Sequence, residues 1–218
     1  MATVRARPSL LDQDRALGHR LVAGADEAGR GCLAGPIVAA AVCLDVPGLG
    51  EVARAALEGL DDSKRLSPRR RAVLAGAVLR HARQVVVVSA SARAIDARGL
   101  HATNLWVMRR ALEGLDPPPD IALVDGFALG PDAPPHRTLV KGDATSAAIA
   151  AASVVAKEAR DRLMRGPAAL EYPVYGFDRH VGYITAAHTA AVRRHGPSPL
   201  HRMSFRSSAY GDPLTLFE

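Results

Sequence analysis

Short apolar runs recur along this chain, separated by stretches in which apolar residues return every three or four positions. Residues 21–25 (LVAGA) and 37–44 (IVAAAVCL) are unbroken apolar runs of strand length. Residues 84–89 (QVVVVS) are rich in β-branched side chains, which pack well on a pleated sheet. Residues 121–124 (IALV) and 137–140 (RTLV) predict two further strands. Helical periodicity covers 68–82, with Ser67 as N-cap and Pro68 at the first helical position. It returns over 102–115, before the Pro117–Pro119 break, and over the alanine-rich residues 145–164. A last helix is predicted over 184–194, closed by Gly196-Pro197. Strands early and helices interleaved later predict an α/β fold with a mixed sheet.

Composition narrows the class. A chain of 218 residues, 48% hydrophobic and 23% charged, fits a globular domain, and no apolar run is long enough to span a bilayer. Cys32 and Cys43 form no CxxC pair and no disulfide framework, which points to a reducing compartment. The N-terminus has no apolar core of signal-peptide length, so a cytoplasmic protein is expected. The net charge of +6 favours an acidic partner, nucleic acid above all. That charge is carried by 25 arginines and three lysines, Lys64, Lys141 and Lys157. In a chain that otherwise uses arginine, the lysines mark positions where a compact ammonium is wanted.

The candidate chemistry sits where predicted strands end. Asp26-Glu27, Asp125 and Asp143 all follow such runs, and ligand sites in α/β sheets gather at strand ends. Converging carboxylates repel and call for a cation; hard oxygen ligands without His or Cys point to Mg²⁺ or Mn²⁺. Helix caps or solvated acids are the structural alternative. Gly29 to Ala34 also matches the G-x-G-x-x-A dinucleotide fingerprint, but that motif must open a helix, and here Pro36 and a strand-like run follow. His180, His188, His195 and His201 fit no zinc spacing and are expected at the surface or facing phosphate. Ser146, Ser153, Lys157 and Arg160 form a polar stripe on the alanine-rich helix, suited to a phosphate-bearing ligand.

Five stretches in order complete the picture: GADEAGRGCLAGPIVAAAV, DDSKRLS, LVDG, KGDATSAAIAAASVVAKEARD and YPVYGFDRHVGYITAAHTAAVRRHGPSPLHRMSF. Together they resemble bacterial ribonuclease HII, the type 2 ribonuclease H family, over residues 21–205. The resemblance implies an RNase H-like α/β fold, with a mixed five-stranded sheet flanked by helices and a helical C-terminal part. It divides the chain into an N-terminal segment (1–20), a catalytic domain (21–205) and a tail (206–218). It implies metal-dependent cleavage of the RNA strand of RNA–DNA hybrids, and incision 5′ of ribonucleotides embedded in DNA. Asp26, Glu27, Asp125 and Asp143 match the family's acidic metal-binding positions, Gly29-Arg30-Gly31 its junction-reading turn, and Tyr183 its junction tyrosine. With Lys64, Ser67, Ser146, Ser153 and Lys157 these make the expected substrate-binding set. The segment FDRHVGYIT departs from relatives that often carry Asn and Lys before the Gly-Tyr, a difference that touches backbone contacts rather than the reaction.

Two rival classes remain at this point: a non-catalytic nucleic-acid-binding module, and a DNA-only metal-dependent nuclease on the same fold. The tail PLTLF resembles a sliding-clamp-binding pentapeptide, with Leu214, Leu216 and Phe217 as apolar anchors and Pro213 in place of the usual Gln. The alternative is that these residues dock on their own domain. A monomer without membrane contact is expected.

Overall fold

The computed structural model describes residues 8–61 and 63–210, so the Pro213–Phe217 pentapeptide lies outside the described residues. Five strands form one sheet: β1 (Leu21–Ala28), β2 (Ile37–Asp45), β3 (Gln84–Ala90), β4 (Ile121–Asp125) and β5 (Arg137–Leu139). Their order is β3-β2-β1-β4-β5. β2 is antiparallel to β1 and β3, while β4 is parallel to β1 and β5. The mixed sheet follows from the connections. A connection of eight residues, 29–36, joins β1 to β2 antiparallel, whereas the route from β3 to β4 carries helices and returns the chain parallel to β1.

The helices are α1 (Leu10–Ala16), α2 (Glu51–Leu57), α3 (Pro68–His81), α4 (Ala92–Arg98), α5 (Leu100–Glu113), α6 (Ala147–Leu163), α7 (Ala169–Glu171), α8 (Phe177–His180) and α9 (Ala186–His195). One face of the sheet is covered by α6 and α3, the other by α5. α6 comes so near β1 that a Cβ on Gly24 would collide with the backbone of Ala148 and Ile149. The alanine run 147–148 and 150–152 gives the helix the slender side this approach requires. A third apolar cluster, built on Leu33, Met164, Tyr175, Phe177 and Val192, holds the C-terminal helices against the β1–β2 connection.

The expected long helices and all five strands are present, with ends displaced by a few residues. Ser67 caps α3 by accepting from the Arg70 N–H at 3.3 Å. The short helices α1, α2 and α4 were not expected; each has seven residues, too few for a periodic pattern to stand out. No helix opens behind Gly29–Ala34, so the dinucleotide fingerprint is not used as one. Among the described residues, no helix is long and apolar enough to cross a membrane. Both cysteines are free and buried.

Candidate active site

Strand register brings the acids together. β1 pairs with β4 only as far as Ala25↔Val124, but with β2 as far as Ala28↔Val38. Asp26 and Glu27 therefore lie where β1 outruns β4, and Asp125 is the last residue of β4. Strand alternation in the sequence puts Glu27 at or past its strand's end, or has it bind through its backbone or a water; β1 in fact continues to Ala28, and the end of β4 leaves the space beside it. Alternation sends the two acids to opposite faces. Asp26 meets Ser153 of α6, and Glu27 meets Asn104 of α5.

Their electrostatics are those of charges held out of water. Asp26 is pushed up to about 8, first by burial, then by the Glu27 and Asp125 carboxylates; the Ser153 hydroxyl and the Glu27 N–H, 2.7 Å away, work against the shift. Glu27 is also raised by burial, with the Asn104 amide and the Arg30 and Lys64 charges opposing. Asp125 accepts from the Gly142 N–H at 2.7 Å, which docks the following turn. Asp143 is next in that turn, after Lys141 in a left-handed conformation. Among the described residues, no three His, Cys, Asp or Glu side chains form a ready-made metal cluster. The donor set still fits a hard divalent cation: Asp26, Glu27 and Asp125 offer carboxylate oxygens, and the charges on Glu27 and Asp125 raise Asp26 while that on Asp125 raises Glu27, a repulsion that a cation would offset.

The residues around this centre divide by what holds them. Arg30 lies over the Phe127 ring at 4.9 Å, and His101 packs against the same ring in a T-shaped arrangement. Gly29 has φ +93° and Gly31 is exposed with open space around it. Tyr183 is 38% exposed, with the Lys157 ammonium 5.2 Å from its ring. Lys157 is itself held by Asp161 at 2.6 Å, which also binds Arg71 at 2.9 Å. Arg71 in turn donates to the Ser63 carbonyl, and the Ser63 and Ser153 hydroxyls meet at 2.9 Å. This buried network ties the loop carrying exposed Lys64 and Ser67 to α6 and to Asp26.

Several expectations are corrected by burial. Ser146 is 1% exposed, and its hydroxyl caps α6 at the Ile149 N–H beside Asp14, rather than facing a ligand. Arg160 is fully buried and donates to main-chain carbonyls, so it is not part of a phosphate-facing stripe. His188 and His201 are also buried, with facing Nε2 atoms 3.1 Å apart; only His195 of the four named histidines is exposed. Apolar helix faces and the C-terminal cluster close over these groups, which sequence spacing cannot register. Asn104, Phe127 and Arg202 were not anticipated. Asn104 had a signal: it lies on the buried stripe 103, 104, 107, 108, 111, 112 of α5, a polar residue on a largely apolar face.

Comparison with known proteins identifies the family. The ribonuclease HII family profile matches residues 23–208. The ribonuclease HII of Salinispora tropica is 48% identical over 205 residues, covering 93% of this chain and 74% of its own. The crystal structure of ribonuclease H2 from Pyrococcus horikoshii superposes with a TM-score of 0.72 at 25% identity, covering 87% of this chain and 95% of that one. The Archaeoglobus fulgidus ribonuclease HII, solved in complex with PCNA, gives 0.69 at 25% identity over 86% and 96%. Enzymes of this family are metal-dependent endoribonucleases that act on RNA–DNA hybrids. With the family profile spanning most of its length and the acid-bearing strand ends in place, this chain belongs to the ribonuclease HII family and is an endoribonuclease.

Proposed function

We propose that the enzyme hydrolyses the RNA strand of RNA–DNA hybrids and incises duplex DNA on the 5′ side of embedded ribonucleotides, leaving 3′-hydroxyl and 5′-phosphate ends. The observation that carries this reading is the meeting of Asp26, Glu27 and Asp125 at one sheet end, beside the Gly29–Gly31 turn. Asp26, Glu27, Asp125 and Asp143 would hold two divalent ions, Mg²⁺ or Mn²⁺. When bound, such a pair activates water and neutralises the leaving 3′-oxygen.

The protein's own groups supply the selectivity. The small residues of the Gly29–Gly31 turn let a sugar approach the main chain, whose N–H and C=O groups can pair with a ribose 2′-hydroxyl that DNA lacks. The Tyr183 ring would stack on the deoxyribose that follows, where a further 2′-hydroxyl would clash. Arg30, steadied on Phe127, would meet the phosphate. Lys64 acts on Glu27, Ser153 on Asp26, and the Lys157 ammonium lies over the Tyr183 ring; Ser67, on the loop with Lys64, would join them in meeting the substrate.

The test is a duplex with one ribonucleotide in one strand, set beside an all-DNA duplex and an RNA–DNA hybrid. The expected result with Mg²⁺ or Mn²⁺ is one nick 5′ of the ribonucleotide and cleavage of the hybrid, with no cut in DNA and none in EDTA. Cleavage of the all-DNA duplex, or binding without cleavage, would replace this reading with one of the rival classes. The same proposal extends to Leu214, Leu216 and Phe217 as a ligand for a sliding clamp.

A further inference from the structure

Two arginines are buried completely behind the turn, Arg160 on α6 and Arg202 in the HRMSF segment. Their six hydrogen bonds all go to main-chain carbonyls. Arg202 donates to Arg30, Gly35 and Pro36 at 2.9–3.1 Å. Arg160 donates at 2.9 Å to Ala34, Pro36 and Val181. The two forks thus share the Pro36 carbonyl. Arg202 is further fixed by the Phe205 ring at 5.2 Å and by its own N–H on the Leu33 carbonyl at 2.9 Å.

This arrangement answers a local need and has a directional effect. The stretch between β1 and β2 forms no regular ladder, so its buried carbonyls require other donors. A planar trans peptide points its C=O and the next N–H in opposite directions. By drawing the Arg30 carbonyl inward, Arg202 turns the Gly31 N–H outward, to the exposed side where no side chain stands. Arg160 spans from this stretch to Val181, two residues before Tyr183. The Leu33 and Ala34 N–H groups complete the tie by donating to the Gly182 carbonyl at 2.9 and 3.2 Å. The packing leaves no slack: a Cβ on Gly29 would strike Arg160, and one on Gly182 would strike the Ala34 carbonyl.

We propose that Arg202 and Arg160 are positioning residues for substrate discrimination, a strut that fixes the Gly29–Gly31 turn and Tyr183 at one spacing and so sets how strictly the enzyme requires a ribonucleotide-to-deoxyribonucleotide junction. The strut rests on the reading of the turn and Tyr183 given above. A lysine at either position keeps the charge and loses the fork, since one ammonium cannot reach three carbonyls in the plane of a guanidinium. Hybrid cleavage, which presents a 2′-hydroxyl at every step of the RNA strand, tolerates a displaced reader; a single ribonucleotide does not.

The experiment compares Arg202→Lys and Arg160→Lys with the parent on the single-ribonucleotide duplex and on the hybrid, at temperatures where circular dichroism shows each protein folded. The ratio of kcat/KM between the two substrates is expected to fall about tenfold or more, as small misplacements of reacting groups do. A folded variant that keeps the parent ratio, or loses equally on both substrates, overturns the proposal. Amide hydrogen exchange on the unaltered protein provides a second measurement independent of activity, and decides the case if the lysine variants do not fold. Leu33, Ala34 and Arg202 N–H groups are expected to open together as one unit. Independent opening overturns the strut. Failure of the parent itself to nick at a single ribonucleotide overturns the functional reading instead, while exchange still reports on the strut.

Discussion

At the scale of single residues, the site trades stability for chemistry. Asp26 is buried among carboxylates and holds its proton up to about pH 8. Its folded pKa lies above the unfolded value near 3.8, so the folded state binds the extra proton between those limits, and stability from this group declines as pH rises through that window. Asp26→Asn removes the cost. The variant is expected to lose at least about a hundredfold in cleavage. It should also gain about 1–2 kcal/mol of stability at pH 8, with a smaller gain at pH 5. Urea unfolding at the two pH values checks the sign, and no gain at pH 8 would show that Asp26 is solvated as an ion. Tyr183 offers a complementary test on the substrate side. Loss of a stacking ring is worth about 1–3 kcal/mol. Tyr183→Ala should therefore slow nicking at a single ribonucleotide about five- to a hundredfold, with Tyr183→Phe retaining part of the rate. Uniform loss on every substrate would assign Tyr183 to folding.

At the scale of elements, α6 organises the site because it carries Ser153, Lys157 and Arg160 on one rigid rod lying against Gly24 of β1. Its N-terminus is secured by the Ser146 hydroxyl and by Asp14 of α1, whose carboxylate accepts from the Ala148 N–H at 2.9 Å. Burial raises Asp14 to about 6 despite these donors. If Ser146 is a cap, Ser146→Ala should cost about 1 kcal/mol of stability. The affinity for hybrid should stay unchanged. Denaturant unfolding and a hybrid-binding titration read the two quantities separately, and weakened binding in a stable variant would return Ser146 to the substrate-binding set.

At the scale of the whole molecule, the C-terminal segment is tied together by a buried imidazole relay. The Ser198 N–H donates to His201 Nδ1 at 2.9 Å, so His201 Nε2 carries the proton it directs at His188 Nε2. His188 Nδ1 then donates to the Tyr183 carbonyl at 2.9 Å. Every nitrogen is satisfied only while both rings are neutral. Burial, then the neighbouring His188, lowers His201 to about 4, and burial lowers His188 as well. Below pH 6.5 the unfolded chain takes protons that the folded chain refuses, so stability falls with pH from there towards 4. His201 alone should remove about 2 kcal/mol between pH 7 and 5. A urea midpoint that does not drop over that interval would contradict the relay. The tail belongs to this scale too. Intact protein should bind its cognate sliding clamp, and Leu216→Ala/Phe217→Ala should abolish that binding without altering hybrid cleavage. Equal binding by the double variant would remove the pentapeptide from this role.

Much of this protein was legible in its sequence because the signals are local. Apolar runs such as 37–44, the Ser67-Pro68 start and the Gly196-Pro197 stop report backbone preferences that operate within a few residues, and they match β2, α3 and α9. The acids were legible for the same reason, each following a strand-like run. What the sequence could not decide was the partner of each polar group. Arg160 and Lys157 sit three residues apart on one helix, yet one ends on carbonyls of the β1–β2 connection and the other beside the Tyr183 ring. Asn104 meets Glu27, and Arg202 reaches Arg30 across 172 positions of sequence. Burial and pairing arise from surfaces brought together by packing, and a polar side chain's function follows from what it touches; local propensity sets the elements, and only their assembly sets those contacts.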